Sequence, residues 1–425
     1  KIYNVGQDIT VKGGNVSDVL ANIPSIDVDF DGNISLRGNS NVRILINGKP
    51  SGLVGLSGPQ GLRSLPSESI EKVEVVTSPS ARYSAEGTAG ILNIILKKQN
   101  LLGFNGNFNI NLGIPKNEGI NGTLNVRNEK VNLFGTVNLS NSENSGAYFS
   151  ETNYTRQDLT IEESNNWDYN NKNIFFNLGS EYYFDDNTSL TISGFYKKGD
   201  DLSYLTNIVN DISEGGISST NNRLRDETEL DESFEYALDF YKDYEREGQT
   251  LSARISYEES EDDGLEDIED FATFPLISES IFEKVSNVDF QKRLLGQVDF
   301  IYPIDKDTEF EFGYRGRFLE RETDYDVSFL SGNSFISDSG LSNIFNYKES
   351  VNSLYTQFGK KFDKLSALFG LRYENSKQEI NQKTTNQFEI KKYSDLFPTL
   401  NLAYEFSNQE SLTFGYSKRI RRPRG

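Results

Sequence analysis

From residue 101 onward the chain alternates apolar and polar side chains with a period of two. Phe310, Phe312, Tyr314 and Phe318 fall on one face of a segment, and Glu309, Glu311, Arg315 and Arg317 on the other. Leu251, Ala253, Ile255 and Tyr257 alternate with Ser252, Arg254, Ser256 and Glu258, and Leu400, Leu402, Tyr404 and Phe406 with Thr399, Asn401, Ala403 and Glu405. Successive side chains of a strand point to opposite sides, so the pattern predicts strands with one apolar and one polar face. About thirteen segments of this kind, each roughly ten residues long, can be traced. They run near 103–114, 118–128, 130–141, 171–184, 187–198, 233–245, 248–259, 288–303, 307–320, 350–362, 365–376, 395–406 and 410–420.

Alternation alone admits two opposite readings. In a soluble sandwich the apolar face is the core; in a membrane barrel it meets lipid and the charged face lines the lumen. Connection lengths favour the barrel. Tight links at 128–130, 185–187, 245–248, 304–306, 362–364 and 407–409 alternate with long polar stretches near 142–170, 200–231, 260–287, 321–349 and 377–393. Short periplasmic turns and long extracellular loops are the habit of outer-membrane barrels, whereas a soluble domain rarely carries so many long loops on one edge. Tyr182, Tyr183, Phe184, Phe240, Tyr241 and Tyr244 gather at strand ends, as an interfacial girdle does.

The first hundred residues follow another plan. Asn15 is a helix N-cap, and Val16, Val19, Leu20 and Ile23 share one helical face ahead of Pro24. Ile26–Phe30 and Asn33–Arg37 flank Asp31-Gly32, a hairpin signal. Further strands are expected at Val42–Ile46, Lys72–Thr77 and Ile91–Lys97. Residues 1–100 therefore read as a small α/β domain and 101–425 as barrel.

Composition narrows the chemistry. The formal charge of -21 and pI near 4.6 argue against a nucleic-acid partner. Mean hydropathy is -0.56 and no apolar run is long enough for a membrane helix, which a barrel does not need. With no Cys and no His, disulfides, thiolate metal sites and the common nucleophile–histidine pairs are out of reach. No cofactor, metal or catalytic residue is expected. Asp27–Gly32 imitates the opening of a calcium loop, but position 12 of that loop is Gly38 rather than a bidentate Glu, and a hairpin turn explains it better. The nine carboxylates between Glu258 and Asp270 read as a solvated surface loop. Trp167, Tyr148, Phe149 and Tyr154 lie in or near another outer loop, where aromatic rings stack on ligands or on each other.

The segments Ile34–Gly48 (ISLRGNSNVRILING), Ile70–Val76 (IEKVEVV), Ser78–Tyr83 (SPSARY) and Gly90–Lys98 (GILNIILKK) appear in order. Together this run resembles the plug domain of TonB-dependent outer-membrane receptors. The resemblance implies a transmembrane antiparallel β-barrel of about 22 strands when complete, with about thirteen here and the remaining C-terminal strands beyond Gly425. It implies a plug in the lumen and outer-membrane lipids around the wall. It also implies energy coupling through TonB on the periplasmic side, and import of a scarce or bulky nutrient. Arg37, Glu71, Glu74 and Arg82 fall in the matching motifs as candidates for plug–barrel ion pairs. Asn39, Ser40 and Asn41, with Ser51, Leu53 and Leu56 of the following loop, match the plug apices that face substrate. Arg419, Arg421, Arg422 and Arg424 match a lumen-facing stretch of wall. Lys1–Thr10 contains no assignable TonB-contacting box. The alternative function is a plugged scaffold in an outer-membrane assembly, with a surface lipoprotein as partner.

Overall fold

The computed structural model describes residues 2–5, 15–28, 34–36, 42–46, 62, 67, 70–76, 90–96, 103–213, 215–407, 410–420 and 422. Among the described residues of the N-terminal region the strands are β1 (Ile2–Asn4), β2 (Ile26–Val28), β3 (Ile34–Leu36), β4 (Val42–Ile46), β5 (Ile70–Val76) and β6 (Gly90–Leu96), accompanied by helix α1 (Val16–Ala21). They form a four-stranded sheet ordered β1-β5-β6-β4, in which only β4 and β6 run parallel, and a separate β2–β3 hairpin.

Helix α1 begins where the sequence directs. The Asn15 side chain accepts from the Ser17 and Asp18 backbone N–H groups at 2.8 and 3.3 Å, and Asp18 accepts from the Asn15 N–H at 2.8 Å. This reciprocal cap satisfies donors that a short helix otherwise leaves bare. Val16, Val19, Leu20 and Ile23 are buried in one apolar cluster with Ile70, Val73, Leu92 and Ile94 of the sheet. Strand β1 was not legible in the sequence: three residues carry too little pattern, and pairing with β5 creates the strand.

The remainder is one antiparallel sheet of fourteen strands. Thirteen follow chain order: β7 (Gly103–Gly113), β8 (Asn117–Arg127), β9 (Val131–Tyr154), β10 (Leu159–Asp185), β11 (Thr188–Ser213), β12 (Gly216–Asp243), β13 (Thr250–Phe274), β14 (Ile281–Asp305), β15 (Thr308–Ser331), then β17 (Asn343–Phe362), β18 (Leu365–Gln382), β19 (Gln387–Ser407) and β20 (Glu410–Ser417). The fourteenth, β16 (Ser334–Ser337), adds a short rung to β15. At one end the links are tight and share one device. Asn128, Asp185 and Asp305 each accept a backbone N–H from two residues on, at 2.8, 2.8 and 2.9 Å.

At the other end the expected long loops are absent. Residues 142–170, 200–231, 260–287 and 377–393 are largely strand, and 321–349 largely so, with short turns such as 155–158 and 383–386 at their tips. The apolar alternation stops there because both faces meet water beyond the lipid. The backbone ladder has no such limit, and its hydrogen bonds continue through polar sequence. The acidic run 258–270 is accordingly part of β13 and not a loop.

Burial resolves which face is which. Phe176 and Leu178 on β10 are 40% and 65% exposed, while Phe175 between Ile174 and Phe176 is 1% exposed. Leu354, Phe358 and Phe369 are exposed on the outer face; Ser353, Arg372 and Glu374 are buried on the inner one. Apolar outside and charged inside is the membrane-barrel assignment. Rings cluster toward the tight-turn end, with Tyr182 edge-on to Phe184 at 5.1 Å and Tyr404 to Phe406 at 5.0 Å.

Candidate functional site

The functional surface is the inner face of the large sheet together with the N-terminal domain set against it. Phe175 of β10 is part of the same buried cluster as α1 and the small sheet, and Phe195 of β11 packs beside it at a centroid distance of 6.1 Å. These two rings are where the wall meets the small domain through apolar contact.

Away from that contact the wall is polar, and its character changes around its circumference. On β7–β10 the inward positions are mostly carboxamides and hydroxyls: Asn109 donates to Asn121 at 3.0 Å and Asn125 to Asn132 at 2.6 Å. On β11–β18 they are mostly charged and cross-linked. Lys197, 1% exposed, holds Asp231 at 2.6 Å. Arg254 bridges Asp239 at 2.7 Å and Glu235, and Arg293 pairs with Glu258. Arg317 pairs with Glu349, and Arg321 with Asp289. Glu374 sits between Arg372 Nε at 2.6 Å and Arg422 Nη2 at 2.5 Å, all three buried. A charge buried without a partner costs several kcal/mol, roughly 3–5, so a low-polarity wall position tolerates these groups only as networks.

Of the residues expected from sequence, Arg37, Arg82, Asn39, Ser40, Asn41, Ser51, Leu53 and Leu56 lie outside the described residues, as do Arg421 and Arg424. Glu71 is exposed on β5. Glu74, half-buried, takes Lys72 at 2.8 Å and the Asn93 carboxamide at 3.0 Å, both within its own sheet. The hydrogen bond from Lys72, followed by that from Asn93, outweighs partial burial and holds the Glu74 carboxyl below its ordinary pKa; the same contact raises the Lys72 ammonium. On the polar face of the 309–317 segment, Arg315 is buried, Arg317 is engaged with Glu349, and Glu311 accepts from Gln357. Arg422 joins the wall network, in keeping with the lumen-facing reading of the terminal arginines.

Sequence reasoning missed Phe175. It is one aromatic in the run Ile174-Phe175-Phe176, and only its parity relative to the lipid-facing neighbours identifies it as inward.

Comparison with known proteins meets this architecture from both ends. Residues 6–91 match the TonB-dependent Receptor Plug Domain, and residues 242–425 match the Outer membrane protein beta-barrel family. Among solved structures, the ferric citrate transporter FecA in its unliganded form superposes with a TM-score of 0.56 at 13% identity. That match covers 97% of this chain and 61% of FecA, so the chain spans about three fifths of that relative's length. The ferric-catecholate import receptor Fiu from E. coli K12 matches at 12% identity over 98% of this chain and 84% of its own, with a TM-score of 0.44. FpvA of P. aeruginosa bound to heterologous pyoverdines matches at 13% identity over 98% and 82%, with a TM-score of 0.39. The FecA likeness supports a shared fold; at such identities none of the three carries a substrate across.

Proposed function

The chain belongs to the TonB-dependent receptors of the outer membrane, and on that premise we propose that it imports a scarce or bulky nutrient through a plugged β-barrel. The supporting observation is the pairing of an inverted barrel, apolar outside and charged inside, with a compact domain held to its inner face at Phe175. A wall of this kind surrounds a lumen, and a domain set in the lumen closes it. Substrate would enter from the projecting strand ends and meet the plug apices, for which Asn39, Ser40, Asn41, Ser51, Leu53 and Leu56 are the candidates. TonB would pull the plug from the periplasm, and the coupling is conformational rather than covalent.

Plug–wall ion pairs would then make and break as the gate moves. Arg37, Glu71 and Arg82 are the proposed plug partners. Glu74 takes part with Lys72 already beside it, as a pair of no net charge. The wall side is rich in groups of both signs, so charge exchange need not strand any one of them.

The test is uptake by the whole receptor in cells with and without TonB. Nutrient-limited growth that depends on both the receptor and TonB supports import. A receptor-dependent phenotype unchanged by loss of TonB would instead indicate a scaffold held in an outer-membrane assembly, with the surface lipoprotein as its partner.

A further inference from the structure

β8 accompanies β9 only as far as Ser142, after which β9 and β10 run on together to Tyr154 and Leu159. The β9–β10 register is unbroken from this projecting end down to Phe175. Residues an even number of places from Phe175 therefore share its lumenal face. Among them are Asn165 and Trp167 on β10, with Tyr148 and Gly146 directly across on β9. Trp167 stands eight residues from the plug contact, about 27 Å toward the projecting end.

Its indole lies over Gly146, where any added Cβ would collide with the ring. Tyr148, the diagonal neighbour, is exposed. Beside them Asn207 of β11 donates to Asn165 Oδ1 at 2.7 Å and to Glu163 Oε1 at 2.6 Å, and Asn165 donates to Glu163 at 3.1 Å. The lumenal positions of 144–154 and 159–169 hold no Lys or Arg.

We propose that Trp167 and Tyr148, with Asn165, Asn207 and Glu163, form a binding face for an uncharged saccharide on its way to the plug. The inference rests on the importer reading and names its substrate class. Aromatic faces take the C–H face of a sugar ring. Carboxamides both donate and accept, and a carboxylate accepts, which suits hydroxyls that do both. An anionic iron chelate would meet Glu163, and Arg223, across from Asn207 on β12, is already held by Asp270 at 2.8 Å and Glu283 at 3.7 Å.

Trp167 is the single Trp of the chain, so the fluorescence difference between the receptor and its W167F variant reports on this position alone. The purified whole receptor is titrated with maltohexaose, xylohexaose and mannohexaose, and with ferric citrate as the anionic probe. A saturable change with at least one sugar is expected. It should be absent from the W167F variant measured alone, and the affinity should fall roughly tenfold in Tyr148→Ala, with melting temperatures of both variants unchanged. If none of the three sugars gives a saturable change, or ferric citrate gives one of equal size, the proposal is overturned. The readout needs no transport. Sugar binding without TonB-dependent uptake would defeat the importer reading and not this face; uptake without sugar binding would defeat the saccharide alone.

Discussion

The inner faces of β7–β10 and β11–β18 belong to one sheet and do different work. The first is lined by Asn, Ser and Thr with Phe175 among them, and it holds the plug by apolar contact. The second is lined by ion pairs, several of them buried. An apolar contact is lost outright when its surfaces separate into water, whereas charged and polar groups in a wet lumen can exchange partners for water or for each other. The neutral wall is therefore suited to fasten the plug and the charged wall to let it go.

The largest expected effect on this contrast comes from the charged side. Glu374→Ala leaves Arg372 and Arg422 facing each other without their shared carboxylate, and should cost about 3–5 kcal/mol. A lowered unfolding temperature of the barrel checks it. On the neutral side, Phe175→Ala removes a ring buried against the plug core, at a cost of about 3 kcal/mol. That loss should appear as faster proteolysis of residues 15–96 while the wall stays resistant. If instead the wall unfolds and the plug stays protected, Phe175 supports the sheet and not the docking.

These two effects separate what sequence could and could not reveal. The Asn15 cap, the apolar face of α1 and thirteen wall strands were legible because each leaves a periodic or capping signature. The tight turns were legible from Asn and Asp at their starts. The strand extensions were not, because polar residues on both faces look the same in a loop and in a water-exposed ladder. Partners across the wall, such as Glu374 with Arg422, lie 48 residues apart and depend on register, which alternation alone does not fix. The Lys72–Glu74 pair follows from spacing of two on one strand face, which gives Glu74 a partner within its own sheet.

Smaller effects sharpen the inside–outside assignment. Leu178→Arg places a cation in lipid near mid-membrane and should cost about 2–4 kcal/mol, while Asn177→Arg on the lumenal side should cost far less. Denaturant midpoints of the two variants in lipid bilayers compare them directly. The smallest effect concerns pH. The folded-state pKa of Glu74 is depressed by Lys72, so its contribution is present above the unfolded value near 4.3 and fades as pH falls through the lower folded value. Lys72 is raised, so its share persists up to its unfolded pKa and is lost only at higher, strongly alkaline pH. Glu74→Gln should flatten the acid limb of plug stability, followed by proteolysis as pH falls below about 4.5.

The central claim is that the apolar face of the sheet meets lipid and the charged face lines a lumen. Because the chain has no Cys, single cysteines can be placed at Asn177, Leu178, Ser353 and Leu354 and labelled with a fluorophore without background from this sequence. In bilayers of brominated lipid, labels at 178 and 354 should be quenched and those at 177 and 353 should not. Quenching at 177 and 353 with none at 178 and 354, or no quenching at any of the four, would contradict the barrel and the import that depends on it.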